Sequence, residues 1–140
     1  MKAYTDIEQS KKLAEILPIG SADMRYGYIA PYDYSDRMYD GGYDEIPYPK
    51  DFLIKNPNFS ANEYDAELPC WSLAALLQII PKDIEGLNRL RIDIDNVDFS
   101  IWYDDLKGYG VNDKLPDITS KEPVDACYEM ILKLHELNLL

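Results

Sequence analysis

Cys70 and His135 are the side chains best suited to nucleophilic chemistry in this chain of 140 residues. A cysteine in the first turn of a helix feels the helix dipole, which favours the thiolate, and a histidine in reach could accept its proton. The run Leu68–Pro81 would put Cys70 at such a point, since Pro69 suits a helix start and Pro81 its end. Packing is the competing reading. Only Ser72 and Gln78 are polar between those prolines, and a buried cysteine behaves as a small apolar group. A helical wheel sets His135 beside Val124, Tyr128 and Ile131, on an apolar face, and the sequence supplies no third group to orient a catalytic pair. Packing is therefore preferred, with a small enzyme or thiol-based site at Cys70 and His135 as the alternative.

Oxygen ligands offer a second chemistry. Asp93, Asp95 and Asp98 crowd a turn with Asn96, and such clusters can hold Ca²⁺ or Mg²⁺. The spacing matches no EF-hand loop, which needs Gly at its sixth position and a bidentate Glu at its twelfth, so a solvated acidic turn is expected. No metal and no cofactor is assigned. The remaining candidate is a surface. Residues 24–67 carry eight of the twelve tyrosines, four prolines and the Gly41–Gly42 pair. Tyrosine gives wide amphipathic contact at low entropic cost, and Gly and Asp allow loops to adapt. Tyr26, Tyr28, Tyr32, Tyr34, Asp36, Tyr39, Asp40 and Tyr43 are accordingly the expected binding surface, although tyrosines also simply cover sheets.

Three helices are expected to frame these residues. Thr5-Asp6-Ile7-Glu8 fits a capping box for a helix over 5–17, ended by Pro18. Residues 69–80 form a central helix, apolar all round and hence interior. Residues 121–137 form the third, with Val124, Cys127, Tyr128, Ile131 and Leu134 on one face and Ser120 as the favoured cap. Between the first two helices, Tyr26/Tyr28 and Tyr32/Tyr34 alternate as strand pieces broken at Pro31. Ile46–Pro49 can be neither helix nor central strand, because its prolines lack the N–H. Short strands are expected at Phe52–Ile54, before an Asn56–Pro57 turn, and around Tyr109–Val111. The clearest β signal is a hairpin near 88–104. With Asp95–Asn96 as a two-residue turn, Ile94 faces Val97, Ile92 faces Phe99 and Leu90 faces Ile101, while Arg89 meets Trp102 and Asp93 meets Asp98. Asp-Asn is a weak turn pair, so a longer loop is the alternative.

Taken together, the elements describe one α+β domain over 1–140, a mainly antiparallel sheet packed by helices, with the irregular Tyr/Pro-rich segment 24–67 inside it. Composition limits its partners. Against 14 basic residues stand 26 acidic ones, a net charge of −12, which repels phosphates and anionic membranes and disfavours direct nucleic-acid binding. No apolar run reaches membrane-spanning length. Two cysteines cannot staple a small secreted domain, so a cytoplasmic setting is expected. Three stretches, Ala3–Pro18, Pro69–Leu77 and Pro123–Leu137, together resemble a group of small proteins from gut anaerobic bacteria and their mobile elements. That resemblance covers under half of the chain, carries no activity or site residue with it, and implies a mobile-element accessory protein. The function expected is a non-enzymatic, acidic protein-interaction module whose partner is another protein, a basic one being favoured by the charge.

Overall fold

A computed structural model describes residues 1–29, 32–34, 37–50, 66–106 and 115–140. The fold is α+β, with helices and antiparallel sheets as expected. The chain divides into two compact units, one formed by Asp6–Ser72 and the other by Met1–Thr5 with Leu73–Leu140. Asp36, the Phe52–Ile54 strand, the Asn56–Pro57 turn and the Tyr109–Val111 strand lie outside the described residues.

In the first unit, α1 (Ile7–Ala14) carries a capping box one residue later than expected: the Asp6 carboxylate accepts the Gln9 backbone N–H at 2.8 Å, and the Gln9 side chain accepts the Asp6 N–H at 3.2 Å. Thr5-x-x-Glu8 and Asp6-x-x-Gln9 both fit the capping pattern, and Thr5 is fully buried, which leaves the exposed frame to Asp6. After a 3₁₀ turn (Ile19–Ser21) comes β1 (Met24–Ile29), the centre of a sheet. On one side it pairs with β4 (Gly42–Tyr43) and β5 (Tyr48–Pro49), on the other with β6 (Ala66–Cys70). A separate ladder joins β2 (Tyr32–Tyr34) to β3 (Arg37–Tyr39). Pro49 and Pro69 sit on strands that pair only with β1 among the described residues, where a missing N–H leaves no ladder bond unmade.

β6 corrects the expected central helix. Residues 66–70 are strand, and the helix, α2, is only Leu73–Ile79. Pro69 stands opposite Arg25 and Cys70 opposite Met24 in the β1 ladder. An apolar run of this length satisfies either period, and pairing with β1 decided it. Nor is α2 apolar and interior all round: Ala75 and Leu76 are buried, Ala74 and Gln78 exposed, Leu77 in between.

The second unit is built on the sheet β10–β9–β8–β7, from β7 (Asp83–Ile84), β8 (Asn88–Ile94), β9 (Phe99–Asp105) and β10 (Ile118–Ser120). β7 turns into β8 through Glu85 and Gly86, whose φ values of 55° and 70° are the left-handed pair that a type I′ turn requires. Helix α3 (Pro123–Glu136) packs on β9 and β10, and α2 packs on α3. Its buried stripe is Val124, Ala126, Cys127, Met130, Ile131 and Leu134. The cap is Glu122 with Pro123 at the first helical position, and Ser120 stands in β10, where its hydroxyl accepts the Glu122 N–H at 3.2 Å. Lys2 ties the amino-terminal residues to this helix. Its backbone N–H donates to the Glu122 carboxylate at 2.7 Å and its ammonium to Asp125 at 2.8 Å, two acids placed where the helix dipole favours them.

Candidate interaction surfaces

Cys70 lies at the end of β6, not in the first turn of a helix, and has no exposed surface. His135 is exposed in the last turn of α3, contrary to its expected place on the apolar face. The buried stripe ends at Leu134, and one more step around the helix carries the imidazole past the core. Cys70 belongs to the first unit and His135 to the second. Cys127 is as buried as Cys70, and burial pushes its thiol up to about 12 against a smaller opposing pull from the Lys82 ammonium. Burial likewise raises the Tyr103 phenol, whose hydroxyl donates to the Pro81 carbonyl at 2.6 Å.

The acidic turn serves the backbone. Asp95 Oδ1 accepts the N–H of Val97 at 2.8 Å and of Asp98 at 2.7 Å, and these bonds hold its carboxyl below the ordinary carboxylate range. Asp93 stands opposite Ser100, not Asp98. Among the described residues no group of three or more His, Cys, Asp or Glu side chains is arranged to hold a metal ion.

Tyr26 is only 2 % exposed and belongs to the core of its unit, so it leaves the expected binding set. Tyr28 and Tyr43 are half-buried partners across β1 and β4, meeting edge to face with centroids 5.1 Å apart, and the Lys11 ammonium lies 5.8 Å from the Tyr43 ring. Tyr32 stands opposite Tyr39 in the β2–β3 ladder, with Tyr34 opposite Arg37. Asp40 is exposed. Nearby, Arg25 and Tyr48 both engage Glu67, at 3.1 Å and 3.0 Å.

A surface that sequence reasoning missed lies in the hairpin. Asp95 and Asp98 close the turn, so it centres on Asn96–Val97, one residue later than expected. Ile94 therefore pairs with Phe99, Ile92 with Ile101, Leu90 with Tyr103, and Trp102 meets Arg91 instead of Arg89. A two-residue shift keeps every side chain on its face, so the apolar alternation could not distinguish the registers, and the Asp95 side chain settled the matter by capturing two N–H groups. Within that apolar face burial is lopsided. Phe99, Ile101 and Tyr103 on β9 are buried in the layer that α3 covers, whereas on β8 Ile92 is 41 % and Ile94 72 % exposed. Val97 at the turn is 63 % exposed.

Alongside β8 runs a groove of about 690 Å³, lined by Leu77 of α2, Lys82, Asp83, Arg89, Leu90 and Ile92. Lys82 shapes its rim by donating to the carbonyls of Leu77 and Ile80 at the end of α2. The signal for this surface was present in the sequence as an apolar strand face. Its exposure depended on how far α3 reaches across the sheet, which no local pattern encodes. Comparisons with family models, with curated proteins and with solved structures found no match. No helix among the described residues is long and apolar enough to cross a membrane.

Proposed function

We propose that this protein is a non-enzymatic protein-interaction module and that it engages its partner through the uncovered apolar face of β8. One observation carries the reading: Ile92 and Ile94 stand open to solvent on the same face whose β9 half is buried, next to a groove lined by Leu77 and Leu90. Contiguous exposed apolar surface beside charged residues is what interaction sites present. The net charge of −12 adds a preference for a basic partner surface elsewhere on the molecule. In the other unit, exposed Asp40 and the Tyr28–Tyr43 pair are the part of the tyrosine-rich set that fits such a contact. The mobile-element role implied by the helix resemblance belongs to the same proposal.

Capture experiments test this. Tagged wild-type protein in its native host is expected to retain a protein, whether a second, differently tagged copy or another chain, that an Ile92→Thr/Ile94→Thr double variant loses. Equal recovery by both would exclude the β8 face. Neutralising Asp40 and Asp44 to Asn tests the acidic surface in the same assay, and unchanged recovery would remove it.

A further inference from the structure

Among the described residues, the hydrogen-bonding parity of the hairpin leaves a stretch of the β8 edge open. Asp95 donates to the Asp98 carbonyl at 3.1 Å and Leu106 to the Leu87 carbonyl at 3.0 Å. In an antiparallel ladder such bonded pairs alternate, so the odd-numbered residues of β8 direct N–H and C=O toward β9. The even-numbered ones point the other way, toward β7. But β7 reaches only Asn88 and Arg89, and just beyond it the Lys82 carbonyl accepts the Leu90 N–H at 2.9 Å. Past that point Ile92 and Ile94 have no strand beside them among the described residues. These are also the residues whose apolar side chains are uncovered. Open edges with apolar side chains are templates for strand addition, and proteins normally blunt them.

We infer that the open edge of β8 at Ile92 and Ile94 receives the same edge of a second copy of this chain, the strands antiparallel about a two-fold axis at Asp93. This rests on the interaction reading above and names its occupant. Such an axis sets Ile92 of each copy opposite Ile94 of the other, so all the open backbone groups of both residues are paired and the four isoleucines form one patch. An axis at Ile92 would instead put the second copy's Ile94 where Lys82 already stands. Charge favours self-recognition in this register: Arg91 of each copy, whose guanidinium also lies 3.4 Å from its own Asp104, faces Asp95 of the other, giving two opposite-charge pairs across the junction. Exposed ion pairs contribute little affinity but they do fix partner and register. One feature opposes it. Asp93 faces its own counterpart in a non-bonded pair, where side chains are closest.

The opposed aspartates make the register testable. Sedimentation equilibrium of the full chain, from micromolar to near-millimolar concentration, is expected to show the 16.2 kDa species giving way to one of twice that mass. Ile94→Lys, at an exposed position, should keep the chain folded and monomeric, as circular dichroism would verify. Asp93→Asn should tighten self-association by up to about fivefold, since it removes a like-charge cross-strand pair. A wild-type chain that stays at 16.2 kDa throughout overturns the inference, as does a dimer indifferent to Ile94→Lys. A monomer that still captures a different protein through Ile92 and Ile94 sinks only the second-copy occupant, whereas a monomer that captures nothing there sinks the interaction reading as well.

Discussion

Burial of the Cys127 thiol contributes to stability in a way that can be measured. The thiol is raised from 9.0 to about 12 because the α3 face around it excludes water. A raised pKa in the folded state contributes stability that is complete below the unfolded value and is lost as pH rises through the folded one. The stability difference between wild type and Cys127→Ala, from denaturant unfolding, should therefore shrink as pH climbs from about 9 to about 12. A difference that stays level across that range would mean the thiol ionises freely in the fold. Asp95 is the contrasting case. Its carboxylate is exposed, and its lowered pKa records two turn N–H groups, which identifies it as the residue that sets the hairpin register.

At the scale of elements, the sheet of the second unit divides into a covered half and an open half, and substitutions should feel the division. Ile101 on β9 has no exposed surface and lies under α3, so Ile101→Ala is expected to cost about 2–5 kcal/mol. Ile94→Ala, five residues before Phe99 and on the same face, should change stability by no more than about 0.5 kcal/mol. Similar losses at both positions in thermal or denaturant unfolding would show that the β8 side is packed after all. The sequence made these elements legible to different degrees. Periodicity sufficed for α3 and the two hairpin strands, because each has an unambiguous apolar stripe, whereas α1 buries Ser10 and Leu13 and runs Ile7–Ala14, ending short of Pro18 and of the expected 5–17. It failed for Leu68–Trp71, where a short wholly apolar run fits strand and helix alike and only the β1 ladder chose. It failed again for the turn, since period-two alternation specifies register only to within two residues. Of the candidate sites, residue types drew attention to Cys70, His135 and Tyr26, but not to how buried each one is or where in its element it stands. Those depend on tertiary packing.

For the whole molecule, charge and exposed apolar surface pull in different directions. A net charge of −12 opposes association in general, and an open strand edge flanked by Arg89, Arg91, Asp93 and Asp95 provides a local exception to it. If the β8 edge is an interface, a photo-cross-linking amino acid at position 94 reports it where the protein works. In cells, irradiation should produce a discrete adduct from position 94, at twice the 16.2 kDa chain mass if the partner is a second copy, and none from the equivalent substitution at exposed His135. No adduct from position 94 would contradict an interface at the β8 edge.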